Sequence, residues 1–498
     1  MRYQDLYAAL DLGSNSFRLE IGHLSAGQLR RVEYLKETVR QGAGLDSERM
    51  LSQEAMQRGW DCLARFAERL AGFRSGQVRA VATQTLREAR NREVFLQRAQ
   101  EILGHPIEVI SGIEEARLIY LGVAHLLPQS AERRLVVDIG GRSTEMIIGQ
   151  GLQAQRMDSH RVGSVAWSMK YFPQGQWTAQ AFDTAETAAR ALLDDAMDDF
   201  PRQAWDSAYG ASGTVGAVAD ALTANGWDAG VITQAGLDWL RERLIKAGRH
   251  ENLRLEGIRE DRRPVIGGGL SVLRAVFGLL GIERMQVAQG ALRHGALFDL
   301  LDRESPTADV RSTMVAWLAR RMGCDAAQGE RVARTAQALL APLLDDQDEG
   351  VRTRLLRKLR WTAQLHEVGR CIAHSDHHKH GAYLVANSDM AGFTVNELAR
   401  MAQLVLGHRG KLRKMELGLQ DPLFVRQLLA LRLAVLLCHA RRDPDLHGFE
   451  LTRSPDQRSF DLHTDPAWSQ QWPQSAQLLS EEVQAWQKTE WRLRWHRA

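Results

Sequence analysis

Short apolar runs that break off into polar, glycine-bearing turns alternate with longer stretches of helical periodicity over residues 1–125, and the alternation restarts over 130–300. The pattern predicts strands over 7–10, a following run that ends at Ile21 and Gly22, and 28–34. An amphipathic helix is predicted over 52–73, then a strand over 78–81 that runs into Thr83-Gln84-Thr85-Leu86-Arg87. A strand over 108–110 ends at Ser111-Gly112, and a helix begins at Glu114 and reaches about Gly122. The second stretch opens with Leu135-Val136-Val137. Its later landmarks are Gly210-Ala211-Ser212-Gly213-Thr214, Gly267-Gly268-Gly269 and Gly290 to Gly295. Asp302-Arg303-Glu304-Ser305-Pro306-Thr307 marks a boundary. Residues 309–440 read as helices rich in Leu, Ala and Arg. Beyond Pro444, the runs 449–452 and 459–462 flank a turn at Pro455-Asp456-Gln457 and predict a small hairpin. Trp468, Trp472, Trp486, Trp491 and Trp495 read as the packing of a small final domain.

Two of the turns are alike. Asp11-Leu12-Gly13-Ser14-Asn15-Ser16 and Asp138-Ile139-Gly140-Gly141-Arg142-Ser143-Thr144-Glu145 each follow a β-prone run, and a second run follows each at the same offset. Glycine lets the backbone turn and come close to a ligand, so that N–H groups and hydroxyls cradle phosphate oxygens. An Asp at the strand end suits a cation or its water shell. Two such loops in matching register imply a duplicated fold that grips phosphate from both sides.

Composition narrows the class. The 498 residues, 44% apolar and 25% charged, suit a globular protein of about three domains rather than a disordered one. The expectation is of no signal peptide and no membrane span, because no apolar run near the start is long and none approaches 18 residues without a charge. Cys62, Cys324, Cys371 and Cys438 show no paired spacing, which fits a reduced, cytoplasmic protein. A net charge of +3 announces no nucleic-acid partner. Basic clusters at Arg352 to Arg360 and at His408 to Lys414 read either as solvated helix faces or as a channel for a long anion. They leave weak association with the inner membrane open.

Candidate chemistry centres on Ser111-Gly112-Ile113-Glu114-Glu115. Ser111 with Glu114 fits a capping box. Glu115 has two readings, a first-turn acid favoured by the helix dipole or a base that deprotonates water beside a phosphate. Thr83 and Arg87 read as a cap and a surface charge, or as groups that offset phosphoryl charge. Ser143 and Thr144 can donate to phosphate, while Asp138 and Glu145 can bind a divalent cation, the combination that phosphoryl transfer needs. Ser212 and Gly213 either add backbone donors or form an ordinary βα turn. Four histidines between His374 and His380 match no tight ligand template and read as a protonatable surface facing anion rather than a metal site.

Together the two loops, residues 83–91, 111–116 and 210–214 resemble the exopolyphosphatase and guanosine pentaphosphate phosphohydrolase family. The resemblance implies an α/β fold with a duplicated actin-like core of ribonuclease-H type over 1–127 and 128–304. An all-α HD-like domain would follow over 305–443 and a small C-terminal α+β domain over 444–498, usually in a homodimer. It implies a hydrolase that uses Mg²⁺ to remove terminal phosphate from inorganic polyphosphate or from guanosine pentaphosphate. Glu115 matches the family's catalytic glutamate, with Arg87 beside it. Gly13, Ser14, Asn15, Ser16, Gly140, Gly141, Ser143, Thr144, Ser212 and Gly213 fall where phosphate is bound, and Asp11, Asp138 and Glu145 where the metal is bound. Two positions depart from the pattern. Arg142 replaces a small residue, either adding a phosphate ligand or crowding the turn. His366-Glu367 stands where an active HD enzyme has His-Asp, which argues for a channel-shaping role there. Residues 365–393 with His374 and His380 favour polyphosphate as substrate. Guanosine pentaphosphate is the alternative, and a sensor without turnover, supported only by Arg142, comes after it.

Overall fold

The computed structural model describes residues 6–25, 28–128, 130–302, 310–388, 390–415, 418–454 and 458–497. The predicted boundary at 303–307 and the turn at 455–457 lie outside them. The chain divides into two compact units, Met1–Asp309 and Val310–Ala498.

The first unit holds two sheets with one shared plan. Strands β1 (Leu6–Leu12), β2 (Phe17–Ser25), β3 (Gln28–Glu37), β4 (Val78–Ala82) and β5 (Ile107–Val109) are ordered β3-β2-β1-β4-β5. Strands β6 (Arg133–Ile139), β7 (Thr144–Gln150), β8 (Gln153–His160), β9 (Ser207–Gly210), β10 (Val231–Thr233) and β11 (Arg284–Val287) are ordered β10-β11-β9-β6-β7-β8. In each, an antiparallel meander leads into strands added in parallel: β4 on β1, then β5 on β4, against β9 on β6, then β11 on β9. The central strands are buried almost end to end, as expected of strands covered on both faces. Both predicted loops are thus hairpin turns, Asp11 pairing with Arg18 and Asp138 with Glu145 across their hairpins.

Two helices tie the halves together. Gly112–Leu126 packs on β7 and β8, and Leu292–Asp302 packs on it and on β1. Their backbones touch. A Cβ on Gly295 would stand 1.7 Å from the Leu118 carbonyl oxygen, and one on Gly122 would stand 2.4 Å from that of Ala291. Only glycine permits this approach, and the crossing fixes the tilt of the helix that carries Glu115. Arg263–Leu280 is long and apolar enough by length and composition to cross a membrane, but it lies among the core helices Ser164–Tyr171 and Ala179–Leu193 and is largely buried there.

The second unit is helical from Val310–Arg321 to Pro422–Leu437, then forms the sheet β12 (Glu450–Arg453), β13 (Ser459–Thr464) and β14 (Arg492–Arg497). The predicted hairpin is β12–β13, and β14 joins it in parallel. Trp468, Trp486 and Trp491 are buried in this unit's core, and Trp472 and Trp495 pack against it. One member of the histidine run leaves the surface. His377 is buried beside His408, while His374 and Lys379 are exposed. His366 and His408 each place Nδ1 2.6 Å from a backbone carbonyl, and burial drives both pKa values down, so the rings stay neutral.

Candidate active site

The two glycine turns face each other. A Cβ on Gly141 would sit 3.1 Å from that of Ser14, a tight approach between the two turns. The loops wall a cavity of about 370 Å³ with Asp11, Asp138 and Glu115 on its surface. Gly13, Ser14, Asn15, Ser16, Gly140, Gly141, Ser143, Ser212 and Gly213 line it as well. The predicted gathering of two loops and one glutamate around a common crevice therefore occurs. Thr83, expected as a cap or a contributor, occupies an N-cap position without a side-chain cap bond and lies on the cavity wall.

Glu115 owes its place to its neighbour. Ser111 caps the Gly112–Leu126 helix by accepting from the Glu114 N–H at 3.1 Å. Glu114 is itself engaged by Arg79 at 3.2 Å and Arg117 at 2.7 Å, in a buried network that includes Asp299. With Glu114 anchored inward, the next position around the helix faces the crevice. There Arg87 approaches Glu115 Oε2 at 3.2 Å and also donates to the Ile110 carbonyl at 2.7 Å. Burial is the main reason the Glu115 carboxyl is raised to about 7. Arg87 opposes that rise, and Asp11 and Asp138 add to it. Asp138 is raised to about 7 by burial and by Asp11, against Arg18. Arg18 is the partner of Asp11, at 2.7 Å. Four carboxylates, Asp11, Glu115, Asp138 and Glu145, thus crowd a buried region where Arg18 pairs with Asp11 and Arg87 with Glu115.

Two positions differ from expectation, Thr144 and Arg142. The Thr144 hydroxyl is fully buried and donates to the Val162 carbonyl at 2.5 Å, so it is not free to bind phosphate. Glu145, predicted as a metal ligand with Asp11 and Asp138, lies buried beside Asp138. It is the cross-strand partner of both Asp138 and Ser159 and accepts from the Ser159 hydroxyl at 2.8 Å. Burial, then Glu115 and Asp138, push its carboxyl well above the usual range, against the Ser143 and Ser159 hydroxyls. Arg142 neither binds in the crevice nor crowds the turn. It reaches out to Glu88 at 3.2 Å and to the Gly42 carbonyl at 3.0 Å.

The sequence reading missed a cationic wall. Arg18, Lys36, Arg259, Arg262 and Arg293 also line the cavity. Asp261 alone faces three of them, Lys36 at 3.6 Å, Arg259 at 3.7 Å and Arg262 at 3.9 Å. Burial and the guanidiniums of Arg262 and Arg18 lower the Lys36 ammonium to about 8, with Asp261 opposing. Arg293 is fixed by Glu20 at 2.6 Å. Burial pushes the Glu20 carboxyl up, but His294 and Arg293 outweigh it and hold it at about 2. These cations are scattered through the sequence, and only their excess over nearby acids, visible in three dimensions, marks them.

Among the described residues no three His, Cys, Asp or Glu side chains are gathered tightly enough to cage an ion by themselves, around the crevice or in the histidine-rich unit.

Comparisons with known proteins find relatives along both units. The Ppx/GppA phosphatase family profile matches residues 21–304, and that of Ppx/GppA phosphatase, domain III, matches residues 310–486. A guanosine-5'-triphosphate,3'-diphosphate pyrophosphatase from Vibrio vulnificus (strain YJ016) is 40% identical over 484 residues, covering 96% of this chain and 95% of the relative. One of the same name from Vibrio atlanticus (strain LGP32) is also 40% identical, over 487 residues, 96% of this chain and 95% of the relative. Among solved structures, an exopolyphosphatase-like protein aligns with TM-score 0.55 at 26% identity, covering 60% of this chain and 99% of that one. The Ppx/GppA family member of Aquifex aeolicus aligns with TM-score 0.51 at 26% identity, covering 61% and 99%.

Proposed function

The chain belongs to the Ppx/GppA phosphatase family and is a hydrolase of phosphoanhydride bonds, and we propose that it removes the terminal phosphate from the triphosphate arm of guanosine pentaphosphate. The observation that carries this reading is the 40% identity, sustained along nearly the whole chain, to relatives named for that nucleotide. It supports the nucleotide better than polyphosphate, the substrate the sequence favoured. The cationic wall supports it independently. Lys36, Arg259 and Arg262 outnumber their shared carboxylate Asp261, and the same cavity holds the two phosphate loops. Such a cavity suits a ligand with two phosphorylated arms, one in the loops and one against the cations.

In this reading the backbone and hydroxyls of 13–16, 140–141 and 143 cradle the terminal phosphoryl group. The Ser16 hydroxyl fits that role, since it is buried and has no protein partner; a phosphate oxygen would be its acceptor. Glu115 takes a proton from a water whose oxygen forms the new bond to phosphorus. The bond from phosphorus to the bridging oxygen breaks, and the electron pair leaves with the shortened nucleotide. A carboxyl near 7 suits a base at neutral pH. Asp11 and Asp138 fit Mg²⁺, a cation that keeps several waters and takes one or two carboxylates together with phosphate oxygens. Bound there, it would neutralise charge on the phosphates. Positioning and charge neutralisation provide most of the acceleration in such chemistry.

Phosphate release from guanosine pentaphosphate and from long-chain polyphosphate, offered together and singly with Mg²⁺, tests the substrate. The expected result is a higher kcat/KM on the nucleotide and weak inhibition of its turnover by polyphosphate. A higher kcat/KM on polyphosphate would reverse the assignment.

A further inference from the structure

Arg142 belongs to the second glycine loop, and its side chain points away from the cavity. Its Nη1 donates to the Gly42 carbonyl at 3.0 Å, and its Nε and Nη2 both donate to Glu88 Oε2, at 3.3 and 3.2 Å. The contacts do not stop there. The other oxygen of Glu88, Oε1, accepts from Gln84 Nε2 at 2.6 Å. Gln84 Oε1 in turn accepts from Arg87 Nη2. Arg87 Nη1 reaches Glu115 Oε2 at 3.2 Å. An unbroken line of polar contacts therefore runs from the phosphate loop of the second sheet, through the short helix Gln84–Glu88 of the first, to the carboxylate in the crevice.

Each link is oriented in one way only. Arg142 and Arg87 are obligate donors and the carboxylates are acceptors, so the Gln84 amide must turn its oxygen to Arg87 and its nitrogen to Glu88. Gln84 is 4% exposed, and the side chains of Arg142, Arg87, Glu88 and Glu115 are 20%, 18%, 12% and 9% exposed. A network shielded to this degree holds its members more firmly than exposed contacts do. Arg161 approaches Glu88 Oε1 at 3.7 Å but is 70% exposed and adds little. The line also spans the two halves of the unit. Arg142 leaves the turn where Gly141 meets Ser14, so any shift of one loop against the other pulls on Glu88.

We propose that Arg142 is a positioning residue for the hydrolytic step, acting through Glu88, Gln84 and Arg87 to hold the Glu115 carboxylate where the attacking water sits. The idea rests on the reading of Glu115 as the base. It makes the base competent only when the two loops are in register, which couples seating of the terminal phosphate to proton removal.

The test uses the full chain with guanosine pentaphosphate and Mg²⁺, and compares Arg142→Met, Glu88→Gln, the double variant, Arg142→Lys and Glu115→Gln. Misplacement of a catalytic group from a distance costs up to about 100-fold, so kcat should fall about 10- to 100-fold in Arg142→Met and in Glu88→Gln, with KM changed less than about threefold. The double variant should be no slower than the slower single one, because both cut the same line. Arg142→Lys, which keeps a charge for Glu88 but not the fork, should recover part of the rate. A raised KM at unchanged kcat would make Arg142 a substrate ligand and overturn the proposal, as would losses that multiply in the double variant. Should Arg142→Met fail to fold, Glu88→Gln and Arg142→Lys decide alone: wild-type kcat in both overturns it. Glu115→Gln separates the two levels, since an active Glu115→Gln enzyme removes the assigned base whatever the Arg142 variants do.

Discussion

Asp138 and Glu145 face each other across the second hairpin, two carboxylates in direct register where the first hairpin has Asp11 against Arg18. Like charges directly opposite destabilise a strand pair, and burial adds to the cost: Asp138 is raised to about 7 and Glu145 well above its usual range. The two hairpins match in backbone and differ in charge, so the second half of the crevice carries the surplus negative charge.

That surplus predicts a pH-dependent stability. For Asp138 the folded value of about 7 exceeds the unfolded one of 3.8. An acid raised by folding costs stability above its unfolded value, and the cost grows until the pH passes the folded value. The melting temperature of the metal-free protein relative to that of Asp138→Asn should therefore rise as pH falls from 8 to 5, a comparison in which His366 and His408, whose lowered pKa values act in the opposite sense, cancel. Mg²⁺ should raise the melting temperature at pH 8 and have little effect at pH 5. Differential scanning calorimetry over that range checks it; equal Mg²⁺ effects at both values would place the ion elsewhere.

The helix crossing predicts an intolerant glycine. Gly295→Ala brings a methyl carbon to 1.7 Å from the Leu118 carbonyl oxygen, a backbone atom that cannot swing away. Overpacking of this kind costs about 1–3 kcal/mol. Because the displaced helix carries Glu115, kcat should fall along with stability. Urea unfolding and phosphate release on one preparation check both; a fully stable, fully active variant would show that the crossing is slack.

Much of this was legible from local pattern. The apolar runs before Asp11 and Asp138 gave the hairpins, and Ser111 with Glu114 marked the start of the helix that carries Glu115. What local pattern lacks is the far partner. Thr144 reads as a phosphate donor until Val162 is seen to take its hydroxyl. Arg142 reads as a ligand until Glu88 is found beside it. Gln84 and Glu88, four apart on a short helix, were a visible pair, but nothing in the sequence ties them to the second loop. Lys36, Arg259, Arg262 and Arg293 come from three separate segments and look like ordinary surface charges until the fold sets them around one cavity.

The central claim is that Glu115 removes the proton from the attacking water, and steady-state phosphate release by Glu115→Gln on guanosine pentaphosphate tests it most directly. The isosteric amide keeps the shape and removes the base. General-base catalysis contributes about 10²- to 10⁴-fold, so kcat should fall by that factor while KM stays within a few-fold. A kcat within twofold of wild type, in a protein that melts normally, would contradict the account.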